Sequence, residues 1–172
     1  MEYIKKHALI SQCGQYRYWL TRQWEEVGEH GRFVSFVGLN PSTADADVDD
    51  PTIRRCVGFA KQWGFAGLVM LNLYAFRATK PADMKAADDP AGPGSLGYIM
   101  NAFSSKALTD VVLCWGNHAE KKRGDIMIDL AHNYGLRVWH LGLTKSGNPR
   151  HPLYLPKDTQ RIQVELRGRS AA

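Results

Sequence analysis

The chain has 172 residues, of which 44% are hydrophobic and 23% are charged, proportions typical of a folded globular domain rather than a disordered segment. Its 22 Lys and Arg against 17 Asp and Glu give a net charge of +5 at pH 7, a modest excess that favours a polyanionic partner. No apolar run reaches the ~18–20 residues that cross a bilayer, and the first residues do not resemble a secretory signal. We therefore expect a cytoplasmic protein without membrane contact.

The first half of the sequence predicts two strands and a helix. Residues 15–21 alternate polar and apolar side chains, which indicates an antiparallel strand or hairpin. Residues 32–39 form an apolar, β-rich run that ends in a turn-prone loop, as expected of a buried strand. Asp50 and Pro51 then provide the N-cap and first position of a helix that runs to about residue 63.

The second half continues the alternation of strands and helices. The predicted elements, in order, are a strand at 67–73, a long surface loop at 77–97, a helix from about 95 to 106, a strand at 110–115, a helix to about 134, a strand at 136–141 and a loop at 142–156.

Apolar strands that alternate with helices predict an α/β fold with a parallel sheet. We expect a three-layer sandwich with a central, mostly parallel four-stranded sheet flanked by helices, plus an N-terminal β-hairpin. The chain is predicted to be a single domain, 1–172, with an N-terminal extension (1–31), a core (32–156) and a basic C-terminal tail (157–172).

Polar residues and turns follow the predicted strands, where open parallel sheets bind their ligands. Because the carboxyl ends of parallel strands meet at one edge, we expect these residues to converge on one crevice. The candidates for substrate contact are Gly38, Leu39, Pro41, Ser42, Asn72, Tyr74, Trp115 and Asn117.

Asn40 and the nearby aspartates Asp45, Asp47, Asp49 and Asp50 are the first candidates for chemistry. An amide at a strand end can hold a water, and a neighbouring carboxylate can act as a general base. The alternative is that the segment is a turn and that the aspartates form a solvated loop and a helix cap, which we favour for the aspartates as a group. The run lacks the turn glycine and terminal glutamate of an EF-hand, so calcium is excluded.

Asn72 and His151 are the other candidates. Asn72 lies in a buried strand, where its amide needs partners, and its one acceptor and two donors can read the imide edge of a pyrimidine. The alternative is an amide satisfied by neighbouring backbone. His151, between Arg150 and Pro152, is the best histidine for an acid or electrophile. Tyr74 and Trp115 could stack a base, or simply pack in the core.

Metal and nucleotide motifs are missing from the sequence. The cysteines Cys13, Cys56 and Cys114 lie far apart and predict isolated, reduced thiols, not a zinc site. There is no HExxH, GxxxxGK[ST], GxGxxG or GxSxG pattern. We expect neither metal nor organic cofactor.

Nearly the whole chain resembles a bacterial and phage family of domains of unknown function. The resemblance is carried by six segments, Tyr16–Tyr18, Leu39–Ala44, Asp50–Arg55, Asn72–Thr79, Trp115–Asn117 and Gly147–Leu155. It is specific, but it implies no chemistry.

More remotely, the order of motifs is similar to the uracil-DNA glycosylase superfamily. Residues 38–41 resemble its first motif, and Asn72 resembles the base-reading asparagine that ends an apolar strand. Its last motif resembles either the segment at Asn148 or the segment at His151, and the register stays open. Asn40 stands where the most active branch has a catalytic aspartate, as in the slow, mismatch-specific branch.

This second resemblance implies a DNA glycosylase-like hydrolase that cleaves the N-glycosidic bond of a flipped-out damaged or modified base, such as a phage-modified one. Asn40 would position the attacking water with help from Asp45, and His151 or Asn148 would donate to the leaving base. DNA is the expected partner of a protein expected to be monomeric. The candidates for phosphate contact are Arg54, Arg77, Lys145 and Arg150.

Two other functions stay open at this point. The same fold could serve as a non-catalytic module that binds nucleic acid or nucleotides. It could also be an N-glycosidase of free nucleosides, which the modest net charge favours.

Overall fold

The computed structural model describes residues 2–27 and 32–165. Residues 1, 28–31 and 166–172 lie outside the described residues, and with them Arg167 and Arg169 of the predicted basic tail. Within the described ranges, no helix is both long and apolar enough to cross a membrane.

One mixed sheet holds the strands of the described residues, in the order β1-β2-β4-β3-β5-β6-β7. The strands are β1 (Lys5–Ile10), β2 (Arg17–Gln23), β3 (Phe33–Gly38), β4 (Gly67–Asn72), β5 (Leu108–Leu113), β6 (Arg137–His140) and β7 (Ile162–Gln163). The helices are α1 (Pro51–Gln62), α2 (Pro81–Lys85), α3 (Ser95–Phe103) and α4 (Lys121–Asn133), and short 3₁₀ turns lie at Gly116–His118 and Pro152–Tyr154.

The prediction of a central, mostly parallel four-stranded sheet is wrong, although the protein is α/β overall. The strands β4, β3, β5 and β6 run parallel, but antiparallel strands extend this sheet at both edges to seven strands in the described chain. The hairpin β1-β2 is part of the sheet, with Leu20 opposite Met70 of β4. At the other edge, Ile162 of the predicted tail pairs with His140. Both additions satisfy backbone groups that a four-stranded sheet would leave exposed at its edges.

Both faces of the sheet are buried, each in its own apolar cluster. The strands β2 to β6 contribute to both clusters because successive side chains of a strand point to opposite sides. Phe36 and Leu68 pack with Val57 and Phe59 of α1 in one apolar cluster. A second cluster joins alternate strand residues to α3 and α4. The predicted start of α1 is confirmed, since Asp50 Oδ1 accepts a hydrogen bond from Ile53 N at 2.8 Å and Pro51 is the first helical residue.

The strand order places a switch point beside β3. From β3 the chain goes through α1 to β4 on one side, and later returns to pair β5 on the other side. Loops that leave the carboxyl ends of β3 and β5 therefore run in opposite directions, which opens a crevice above the sheet.

Candidate functional site

A cavity of about 820 Å³ lies at the carboxyl ends of β3, β4 and β5, a size in the usual range for small-molecule sites. Nine of the predicted site residues line it, namely Gly38, Leu39, Asn40, Ser42, Asn72, Trp115, Asn117, Arg150 and His151. The chain contributes them from four separate stretches of sequence, so residues from several predicted strand ends meet at one cavity.

Asn40 is held by the backbone of the loop after β4. Its Nδ2 donates to the carbonyl oxygens of Pro41 at 3.0 Å, Phe76 at 3.4 Å and Ala78 at 2.8 Å. Because carbonyl groups only accept, this network assigns the NH₂ group to that side and leaves Oδ1 as the remaining polar atom of the amide. Asn40 therefore locks two loops together and offers an acceptor.

Asn72 is buried at the end of β4 and bonds to a buried arginine. Arg17 Nη2 donates to Asn72 Oδ1 at 3.4 Å, which leaves Asn72 Nδ2 as the donor for a ligand. The missing side chain of Gly38 allows this arrangement, since a Cβ at that position would lie 2.9 Å from Asn72 Nδ2 and 2.7 Å from Met70 Cε. A side chain at residue 38 would displace the amide.

Arg17 is a cation at the cavity wall that is only 2% exposed. Its Nη1 donates to Ala44 O at 2.8 Å, while its Nε has no hydrogen-bond partner. Burial lowers the pKa of Arg17 to about 10, and the charge of Asp50 opposes this shift most strongly. A guanidinium with that pKa still carries its charge at neutral pH.

Asp50 is the one carboxylate among the described residues that line the cavity. One of its oxygens caps α1, as described above, so the second oxygen is the one left for other partners. Asp50 is half-buried and faces the same cavity as Arg17 and His151. The cavity therefore contains a negative group as well as a positive one.

His151 presents a donor to the cavity. Its Nδ1 accepts a hydrogen bond from Leu153 N at 3.3 Å, so the neutral ring carries its proton on Nε2. Burial lowers the pKa of His151, with Asp50 acting in the opposite direction. The ring is therefore neutral at pH 7. Its Nε2–H is available as a donor in this neutral form and does not require a second proton on the ring.

The far wall is built from Trp115 and a polar cluster. Trp115 is buried against α4, where a Cβ at Gly124 would lie 2.9 Å from Trp115 Cζ2. Asn117 Oδ1 accepts hydrogen bonds from Thr144 Oγ1 at 2.6 Å and from Asn148 Nδ2 at 3.3 Å. These bonds hold the loop after β6 against the loop after β5.

Two predicted catalytic residues do not line the cavity. Asp45 Oδ1 accepts hydrogen bonds from the backbone of Asp47 and Val48, both at 2.9 Å, and these bonds lower the pKa of Asp45. Asn148 serves the loop cluster described above and is also not a lining residue. Both side chains organise turns next to the cavity.

The remaining predicted residues also lie outside the cavity lining. Tyr74 is buried in the core with Arg123 stacked on its ring, 4.6 Å from the centroid. Pro41 is a buried loop residue whose carbonyl accepts from Ala78 N. Three of the predicted phosphate contacts, Arg54, Arg77 and Lys145, lie outside the lining, and of these Arg54 and Lys145 are exposed.

Arg17 and the position of Asp50 are the features that the sequence did not predict. Arg17 was visible only as a polar residue of an alternating strand and as part of the Tyr16–Tyr18 segment. Asp50 was one of four aspartates considered together, for which a helix cap and a solvated loop were favoured. The sequence signal that could have found Arg17 is its position between two tyrosines on a predicted strand. An arginine buried at such a position requires polar partners, which makes it a candidate site residue. Across residues 2–27 and 32–165, no group of three or more His, Cys, Asp or Glu could hold a metal ion.

The fold and the cavity define an α/β protein with a polar cavity at the switch point of its parallel strands. The chain belongs to the family described as protein of unknown function (DUF1643), whose model matches residues 17–153. The predicted resemblance to a family of unknown function is confirmed at that level. None of the curated proteins matches the chain.

Proposed function

We propose that the chain is an N-glycosidic-bond hydrolase of the DNA glycosylase type, which binds a flipped-out damaged or modified base in the cavity. The observation that carries this proposal is that Asn40, Asn72 and His151 line one cavity at the carboxyl ends of the strands. The order of motifs along the chain, similar to that of the uracil-DNA glycosylase superfamily, adds support. Exposed Arg54 and Lys145, with Arg150 at the lining, supply charges for DNA phosphates.

The roles follow from the donors and acceptors that the local hydrogen bonds leave unused. Asn72 Nδ2 donates to a carbonyl oxygen of the base, and Asn40 Oδ1 orients the attacking water. The His151 Nε2–H donates to a base oxygen on which negative charge develops. Asp50, the carboxylate at the cavity, replaces Asp45 as the better-placed general base.

The reaction balances without any cofactor. The water oxygen forms a bond to C1′ of the sugar while the bond from C1′ to the base nitrogen breaks. The electron pair of that bond goes to the base, and a proton of the water passes through the carboxylate to the departing base. The products are a free base and an abasic sugar.

The test is an assay for abasic sites on DNA that carries uracil, mismatched thymine or hydroxymethylated pyrimidines, in duplex and single-stranded form. We expect base release from at least one substrate, and about 100-fold slower release in Asn72→Ala, the size of effect typical of a lost transition-state donor. Asn101→Ala, which removes an exposed amide on α3, is the matched control and keeps the full rate. Full release by Asn72→Ala would contradict the proposed role.

A binding module without catalysis is the second candidate, and one observation favours it. Asn40 Nδ2 is committed to backbone carbonyls, which is a structural task. Salt-sensitive DNA binding with no abasic product from any substrate would select this alternative over hydrolysis.

A further inference from the structure

Strand β2 carries two buried arginines whose surroundings differ in one respect. Arg22 is fully buried, and its Nε donates to Asp49 Oδ1 at 2.7 Å in an ion pair. Arg17 is 2% exposed, yet it forms no ion pair with any carboxylate among residues 2–27 and 32–165. Desolvating an arginine without an adjacent anion is unfavourable, so the contrast between the two positions requires a reason.

The reason lies in the position of Arg17. It is one of the residues that line the cavity, so a ligand bound there lies beside a cation that forms no ion pair with a carboxylate of the described residues. Its Nε is buried without a hydrogen-bond partner, and its other hydrogen bonds go to the neutral acceptors Ala44 O and Asn72 Oδ1. Asp50 lines the same cavity and its charge raises the pKa of Arg17, but the two side chains form no ion pair in the described residues.

Asn72 adds a second donor next to this cation. Since Arg17 donates to Asn72 Oδ1, the amide is oriented with its NH₂ group left for a ligand. The two side chains together, which we call the Arg17–Asn72 pair, present N–H groups and a positive charge. Such a pair matches a group that bears acceptors and negative charge.

We propose that the Arg17–Asn72 pair is the receptor for an oxyanion of the ligand, which completes the charge pairing that Arg17 lacks in the protein alone. The oxyanion is either a phosphate or an anionic oxygen carried by a nucleobase. The inference rests on the proposed function only in taking this cavity as the ligand site, and it requires no bond cleavage.

Calorimetric titration of the full chain with four probes tests the proposal. The probes are inorganic phosphate, deoxyuridine 5′-monophosphate, neutral deoxyuridine and orotate, a pyrimidine that carries a carboxylate. We expect an anionic probe to bind at least about tenfold more tightly than deoxyuridine, the effect of one or more charge-assisted hydrogen bonds. Preference for the monophosphate and phosphate identifies a phosphate site, whereas preference for orotate places the charge on the base.

Two variants assign the preference to Arg17. Arg17→Met removes the charge and the N–H groups, and we expect it to abolish the tenfold preference for the anionic probe. Arg22→Lys is the matched control, since it alters the other buried arginine of β2, keeps a positive charge for Asp49 and replaces no residue that lines the cavity. Unchanged anion binding in Arg17→Met would overturn the proposal.

A measurement on the unaltered chain covers the case in which Arg17→Met does not fold. In ¹⁵N NMR spectra of the arginine Nε–H groups, the Arg17 signal shifts on addition of the anionic probe while the Arg22 signal does not. Absence of any anion binding, or an unmoved Arg17 signal, overturns the proposal. Because these readouts record binding, they are distinguishable from a failure to release bases in the abasic-site assay.

Discussion

Arg22 and Asp49 form a buried ion pair, with 2.7 Å between Nε and Oδ1, that ties strand β2 to the loop before α1. The side chain of Arg22 is fully buried and that of Asp49 is 13% exposed. Arg22 Nη2 also donates to Asp45 O at 2.7 Å, and Tyr3 donates its hydroxyl proton to Asp49 Oδ2 at 2.5 Å. The hairpin therefore supports the loop between β3 and α1, part of which forms the cavity wall.

This ion pair predicts that the two buried arginines differ in their effect on stability. Arg22→Met leaves the largely buried Asp49 without its cationic partner and lowers the free energy of unfolding by about 3–5 kcal/mol. Arg17→Met removes a charge that has no ion-pair partner among the described residues, together with the hydrogen bonds to Ala44 O and Asn72 Oδ1. Relief of the desolvation cost of the buried charge offsets the lost hydrogen bonds, so the free energy of unfolding changes by less than about 1 kcal/mol. Urea unfolding of both variants checks this. Equal losses would contradict the assignment of Arg17 as a residue retained for ligand binding.

Asn40→Asp tests the proposed role of residue 40, since the proposed likeness to DNA glycosylases would place an aspartate at this position in their more active branch. A carboxylate cannot donate to the carbonyl groups of Pro41 and Ala78, and its charge would face their oxygens. We expect the free energy of unfolding to fall by about 2 kcal/mol, with no gain in base release. Urea unfolding and the abasic-site assay measure the two effects. A stable Asn40→Asp chain with faster release would show that the loop does not depend on the amide.

His151 makes the stability of the protein depend on pH. Burial lowers its pKa in the folded state, whereas in the unfolded chain the pKa is about 6.5. The contribution of the neutral ring is therefore fully present above about pH 6.5, and it is lost as the pH falls through the folded pKa. We expect the free energy of unfolding to fall more steeply below about pH 6.5 in the unaltered chain than in His151→Asn.

Urea unfolding at a series of pH values measures this difference. Asparagine at residue 151 retains an acceptor for Leu153 N, so the turn is maintained while the titrating group is removed. His140, whose pKa burial also lowers, is present in both chains and contributes equally. Identical slopes for the two chains would refute the assignment to His151.

A pair of helical glycines tests the packing behind Trp115. Gly124→Ala places a Cβ 2.9 Å from Trp115 Cζ2, so the indole at the cavity wall has to move. We expect a loss of about 1–3 kcal/mol in the free energy of unfolding. Gly58→Ala on α1 is the control, since nothing lies within 4 Å of its added Cβ. That change stabilises the helix by about 0.5–1 kcal/mol, and a stabilised Gly124→Ala chain would contradict the packing.

The sequence was a good guide to local structure and to the ends of strands. The alternation of strands and helices, the cap at Asp50 and the candidates Asn40, Asn72 and His151 all follow from residues that are neighbours along the chain. Apolar runs and turn residues report local conformation, and the carboxyl ends of parallel strands meet wherever those strands are adjacent. Their arrival at one cavity is a consequence of that geometry.

Tertiary structure decided the edges of the sheet and the charges in the cavity. The pattern of β2 predicts a strand but not its pairing with β4, because alternation does not identify a partner. Whether Arg17 is buried beside Asn72, and whether Asp45 or Asp50 lines the cavity, depends on contacts between segments distant in sequence. Burial and charge pairing are properties of the packed chain, so residue type alone did not determine them.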